Sequence, residues 1–162
     1  MTAPAWLPGM ASVNGQWQEI CARLYFIFQN DFIKSERYYE NRHLWWDRRI
    51  LNGEYEEGFW HLITKDDKDK KERLFEPRRA ERLPWCGPAI SNHGDNAVKK
   101  WEYREPTKRI RIYLWLEAFD YVIILEKRTV GKKEIIFLIT AYYVDGESTR
   151  RSLKRKYNER VG

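Results

Sequence analysis

The sequence predicts an α+β domain, on three observations. An apolar stripe of helical period lies near the N-terminus, an alternating run and two β-branched runs fill the C-terminal half, and a basic helix closes the chain. In the first, Trp17, Ile20, Cys21, Leu24, Tyr25 and Phe28 recur at the spacing of one helix face, which predicts a helix from about Gln16 to Phe32. In the second, Arg109, Arg111, Tyr113 and Trp115 alternate with Ile110, Ile112, Leu114 and Leu116, the period of a strand. Tyr121–Glu126 is a β-branched run, and Gly131-Lys132 turns the chain into Ile135–Tyr143, so these two segments form an antiparallel hairpin. A turn at Ala118–Asp120 joins the alternating strand to this hairpin as a meander, with Trp101–Arg104 as a fourth strand.

Between these landmarks the reading is local. Residues 1–13, with Pro4 and Pro8, read as a flexible tail, and residues 14–162 as a single domain. Leu44–Ile50 is a first strand closed by Asn52-Gly53. Gly58–Thr64 is read as an extended segment carrying His61, and Lys65–Arg73, with Asp and Lys in near balance, as a solvated loop. Pro77 starts a short helix with Arg78, Arg79 and Arg82. Pro84 and Pro88 restrict Trp85–Ser91 to another short helical turn, and Asn92–Asp95 is a loop. The terminal helix carries Arg150, Arg151, Lys154, Arg155, Lys156 and Arg160 against Glu147 and Glu159, which accounts for most of the net charge of +6.

Composition narrows the function classes. The chain of 162 residues is 43% hydrophobic, too apolar for disorder, and its pI of about 9.3 is compatible with nucleic acid, an acidic partner or a membrane surface. Two cysteines, Cys21 and Cys86, make no disulfide framework, so a reducing, cytoplasmic compartment is expected. The first residues show no basic leader and no long apolar run, so no membrane association is expected. There is no glycine-rich phosphate loop, H-E-x-x-H, G-x-S-x-G or dinucleotide motif, and no clustered carboxylates; neither cofactor nor metal is expected.

Three groups are able to carry chemistry. His61 can give or take a proton near neutrality; packed against a core, it would instead bond a carbonyl. Arg78, Arg79 and Arg82 can grip a phosphate, or pair with Glu76 and Glu81. On the last strand Ile136, Leu138, Thr140 and Tyr142 share one face, and the hydroxyls of Thr140 and Tyr142 can donate to an oxyanion or simply reach solvent. The basic helix offers a rail for phosphates without sequence preference, or a solvated tail. His43 and His93 are read as structural or surface residues.

The order "GFWHLIT", "RRAERLPW", "RIYLWLEAFDYVIILEKR" and "FLITAYYVDGESTRRSLKRKY", over Trp45–Tyr157, resembles the phage- and prophage-associated branch of the barnase–EndoU–colicin–RelE-like ribonuclease superfamily. The resemblance implies N-terminal helices packed on a twisted antiparallel sheet of about four strands. It implies metal-independent cleavage of RNA, tRNA or ribosome-associated RNA foremost, in a toxin or phage-conflict setting with an antitoxin or inhibitor protein as partner. His61 would be the acid/base, an arginine among Arg78, Arg79 and Arg82 would hold the scissile phosphate, Arg79 or Arg82 foremost, and Thr140 with Tyr142 or Tyr143 would complete the site. Arg78, Tyr143, Arg150, Arg151, Lys154 and Arg155 would bind RNA. The 2′-OH of RNA supplies the nucleophile and leaves a 2′,3′-cyclic phosphate, so the protein needs only a base, an acid and cations. The rival readings are a non-catalytic nucleic-acid-binding module and a protein-interaction module of phage or plasmid origin.

Overall fold

The computed structural model describes residues 2–67 and 69–162. Helix α1 spans Trp17–Phe28 and continues through a π-helical turn, Gln29–Ile33, so the predicted N-terminal helix is present. Its buried residues Ile20, Cys21, Leu24 and Phe28 are those of the apolar stripe, and Phe32 extends the stripe through the wider turn. A short hairpin follows, β1 (Tyr38–Tyr39) and β2 (Arg42–Trp45). Its two central residues, Glu40 and Asn41, have φ of 48° and 67°, the mirror-image turn that matches strand twist. The expected first strand at Leu44–Ile50 is thus displaced toward the N-terminus and ends at Trp45.

The segment expected to be extended around His61 is instead helix α2, Glu57–Ile63. Phe59, Leu62 and Ile63 are fully buried at i, i+3 and i+4, so the apolar run satisfies a helical face better than a strand. Gly58 allows the helix to start tight against the preceding loop. A Cβ there would lie 3.1 Å from the Asp47 carbonyl, to which the Gly58 N–H donates at 2.8 Å. The Glu57 N–H donates to the Arg49 carbonyl, so two otherwise orphaned helix amides are bonded.

The stretch expected as a loop is a two-stranded ribbon, β3 (Thr64–Asp67) with β4 (Glu72–Phe75); Lys68, within it, lies outside the described residues. Short helices α3 (Pro77–Ala80) and α4 (Leu83–Ser91) follow, each with proline in its first turn; α3 holds Arg78 and Arg79 but ends before Arg82, which instead caps the start of α4.

Strands β5 (Lys99–Arg104), β6 (Ile110–Leu116), β7 (Tyr121–Val130) and β8 (Lys133–Tyr143) form the predicted antiparallel meander. Gly131, at φ 63°, makes the β7–β8 turn. The sheet is larger than the expected four strands. Its order is β1-β2-β8-β7-β6-β5, and β2 joins β8 in parallel, so the sheet is mixed. It also curls: Lys127 Nζ, on β7, lies 4.0 Å from Glu40 at one margin and 3.8 Å from Glu102 at the other.

Helices α1, α2 and α4 cover the inner face, where Leu44, Ile112, Leu114, Ile123, Leu125, Ile136 and Leu138 meet Phe28, Phe59, Leu62 and Ile90. Each such side chain stabilises by roughly 1.5–3 kcal/mol on burial. Helix α5 (Gly146–Asn158) lies on the outer face, packing Leu153 and Tyr157 over Trp101, Tyr113, Trp115, Val122 and Ile124. The segment expected as a tail rests on the domain. Trp85 Nε1 donates to the Pro8 carbonyl at 2.8 Å, and the Ala11 N–H to the Glu81 carbonyl at 2.8 Å. No described helix is long and apolar enough to cross a membrane.

Candidate active site

His61 sits in the last turn of α2, and its backbone, more than its ring, organises the neighbourhood. Arg79 Nη1 donates to the His61 carbonyl at 3.1 Å and also to the Thr64 carbonyl, while Thr140 Oγ1 donates to the His61 carbonyl at 3.1 Å. These bonds satisfy carbonyls that the end of a helix leaves without partners. The half-buried imidazole is surrounded by Glu57, Arg73, Asp47 and Asp66; burial lowers its pKa, with Glu57 acting the other way.

The other expected residues are spread along this edge of β8. Tyr142 lies beneath the Arg79 guanidinium, 5.7 Å from ring centre to Cζ. Tyr143 lies under Arg82 at 4.4 Å and Arg78 at 5.9 Å. Arg82 is almost buried and donates to the Arg78 carbonyl and to Glu81 Oε1, each at 2.8 Å. Arg150 pairs with Asp120, and Arg155 with Glu159 at 2.8 Å, whereas Arg151 and Lys154 are exposed. Arg79, Tyr142 and Tyr143 line a cavity of about 170 Å³ with Lys65 and Glu76, closed by Asp145 and Thr149 at the start of α5. The structure thus gathers Arg79 and Thr140 on the His61 carbonyl, with Tyr142 beside Arg79. The imidazole is not among the side chains that line the cavity.

A bulge corrects the expected phase of β8. Leu125 pairs with Leu138 but Ile124 with Thr140, leaving Ile139 extra. Thr140 and Tyr142 stay in phase with each other, opposite Ile124 and Val122, yet out of phase with Ile136 and Leu138.

A second constellation, missed in the sequence, occupies the part of the outer face beyond α5. Glu126 on β7 has a side chain only 4% exposed, held by Arg109 Nη1 at 2.8 Å, Arg128 Nε at 2.8 Å and Arg111 Nε at 3.3 Å. Burial alone would raise its carboxyl pKa; the hydrogen bonds from Arg128, Arg111 and Arg109 outweigh burial and hold the group below the usual glutamate range. Three guanidinium groups share this one carboxylate, and all three retain solvent exposure, from 31% at Arg111 to 63% at Arg109.

Aromatic rings flank them. Glu126 pairs with Phe137, which pairs with Trp45, and Arg111 pairs with Tyr103. The Arg128 guanidinium lies 3.9 Å above the Phe137 ring. One row further along, Arg128 neighbours Ile135 and Ile135 neighbours His43, so His43 stands two strands from Arg128, roughly 10 Å between backbones. Beside α5, Lys156 Nζ donates to the Tyr113 hydroxyl at 3.1 Å, and that hydroxyl donates to Glu105.

The sequence did contain a signal for this site. Arg109 and Arg111 share a phase on one strand, and Glu126 and Arg128 share a phase on the strand beside it. Among the described residues no group of histidine, cysteine and carboxylate side chains is arranged to hold a metal. No family model, curated protein or solved structure matches this chain.

Proposed function

We propose that this protein is a metal-independent endoribonuclease that receives single-stranded RNA on the outer face of its sheet. The observation that carries the reading is Glu126, an almost buried carboxylate shared by Arg109, Arg111 and Arg128 and bordered by Phe137, Trp45 and Tyr103. Rings on a sheet face offer stacking surfaces for unpaired bases, and arginines held on a carboxylate can turn to a phosphate.

The chemistry follows from what RNA brings. Glu126 takes the proton of the 2′-OH, and that oxygen attacks the adjacent phosphorus. The arginines stabilise the added charge on the pentacoordinate phosphate. The bond from phosphorus to the 5′-oxygen breaks, and an imidazole delivers a proton to the leaving oxygen. His43 is the histidine on this face. The products are a 2′,3′-cyclic phosphate and a 5′-OH, and no metal enters the balance.

A second location is the α2–β8 edge, with His61 as acid/base, Arg79 and Arg82 on the phosphate, and Thr140 and Tyr142 beside them. The cavity lined by Arg79 and Tyr142 favours it, while the His61 ring, outside that lining, counts against it. Total tRNA in EDTA separates the two. Glu126→Gln and His43→Ala are expected to lose at least ~100-fold in rate, the usual size of an acid–base contribution, while His61→Ala stays within a few-fold. The reverse pattern moves the chemistry to the α2–β8 edge. Binding that weakens steeply with salt and yields no fragments makes the protein a binding module and refutes cleavage.

A further inference from the structure

Among the described residues, five buried polar side-chain atoms make no hydrogen bond to the protein, and three of the five belong to one neighbourhood. Two are the indole nitrogens of Trp101 and Trp115 beneath α5. The other three are Arg79 Nε, Arg82 Nε and the Tyr121 hydroxyl, where α3 and α4 meet the first residue of β7. Tyr121 pairs with Tyr143, and the Arg82 guanidinium lies 4.4 Å above the Tyr143 ring. Trp85 bounds the same space, its ring centre 5.3 Å from Arg82 Cζ and 5.8 Å from the centre of the Tyr121 ring. Burial and the adjacent Cys86 raise the Tyr121 pKa, and Arg79 and Arg82 both act the other way, so both guanidinium groups stand within reach of this hydroxyl.

The charges here do not balance. Arg79 Nη1 donates to peptide carbonyls, and the Glu76 carboxylate is held by Lys65 at 3.4 Å. Glu81 answers Arg82 at 2.8 Å and is drawn on by Arg78 at 3.9 Å as well. Arg79 and Arg82 therefore share less than one carboxylate, although a buried charge is ordinarily paired. The three free atoms select what would complete them. Both Nε–H groups can only donate, and the hydroxyl can donate as well. A water would accept from two of them and bring two hydrogens of its own, with the weakly accepting Cys86 thiol beside the hydroxyl to receive one. A monatomic anion accepts from all three and cancels a charge. Tyr121 is fully buried, so the site is internal and set apart from any face that RNA could touch.

We propose that Arg79 Nε, Arg82 Nε and the Tyr121 hydroxyl hold a buried chloride ion that ties α3 and α4 to the start of β7. The site stands independently of the ribonuclease reading.

Thermal unfolding of the full chain in sodium gluconate, with chloride replacing gluconate at constant ionic strength, tests this. Tm is expected to rise along a saturating curve, by about 3–6 °C once chloride reaches roughly ten times its dissociation constant. Tyr121→Phe keeps the ring and removes one donor, and is expected to need ~10-fold more chloride for the same rise. Inorganic phosphate, too large for an internal site, is expected to give no such rise at the same ionic strength. Crystals of the wild-type chain grown in bromide are expected to show an anomalous peak among the three atoms, a readout that does not depend on any variant. Equal Tm in chloride and gluconate, an unchanged chloride response in Tyr121→Phe, a phosphate effect as large as that of chloride, or water rather than bromide at the junction would each overturn the proposal.

Discussion

Two arginine-rich regions of this molecule use the same side chain in opposite ways. At the α2–β8 edge, Arg79 donates to the peptide carbonyls of His61 and Thr64. On the outer face, Arg109, Arg111 and Arg128 donate to the side chain of Glu126. A guanidinium bonded to carbonyls at a helix end cannot leave without exposing an unsatisfied backbone. One of several arginines that share a carboxylate can turn to a phosphate without opening the backbone, so long as the others still neutralise the buried Glu126. The comparison therefore teaches that density of arginine does not locate a phosphate site; the partner of each arginine does.

The largest effect should come from breaking the structural member of the pair. Arg79→Ala removes the bonds to both carbonyls and is expected to cost about 3 kcal/mol, since bonds involving a charged group contribute ~1.5–3 kcal/mol each and part of that cost is offset by water. Urea unfolding would register this as a lower midpoint. A loss below ~1 kcal/mol would erase the distinction between the two regions.

Next in size is the member proposed to act on RNA. Glu126→Gln should reduce cleavage at least ~100-fold, whereas Glu126→Asp, which keeps the charge on a shorter stem, should also fall in rate but hold its fold. Its acid titration carries a sign. The folded carboxyl pKa is held low, so its stabilisation is present above the ordinary glutamate value of ~4.3 and lost as pH falls through the lower folded value. The stability advantage of wild type over Glu126→Gln measured at pH 6 should shrink by pH 3. A constant difference would mean that the three arginines do not act on Glu126.

The sequence made part of this contrast legible and hid the rest. The stripe Ile20, Leu24, Phe28 and the alternation Ile110–Leu116 are periodic over enough residues to define a helix and a strand. Gly58–Thr64 is too short for that. Its seven residues fit either period, and what selects the helix is the approach of Gly58 to Asp47, a contact between distant backbones. Likewise the parallel pairing of β2 with β8 joins residues about ninety positions apart, and no local pattern announces it. The Ile139 bulge reverses which side chains share a face with Ile136, so phase counted along the strand went astray beyond it. Glu126 escaped notice because Arg111, on β6, and Arg109, just before it, reach across to β7, and only the β6–β7 register brings those charges to Glu126 and Arg128.

A smaller effect concerns the ring of His61. Burial lowers the His61 pKa, so the unfolded chain takes up a proton first as pH falls below ~6.5. Stability should therefore decline from pH 7 toward pH 5, and His61→Gln should flatten that part of the profile; an unchanged slope would show a solvated ring. Smallest of all, Arg151→Ala and Lys154→Ala on the exposed side of α5 should alter stability by no more than ~0.5 kcal/mol. If α5 tracks the RNA backbone, each should reduce the salt slope of RNA binding by about 1. Unchanged slopes would leave α5 out of the interface.

The most direct test is the chemical nature of the ends made when wild type and Glu126→Gln digest tRNA in EDTA. The account predicts 2′,3′-cyclic phosphate and 5′-OH termini from wild type, and at least ~100-fold less product from a folded Glu126→Gln protein. Intact tRNA after incubation with folded wild type, 5′-phosphate ends, or equal cleavage by the variant would contradict it.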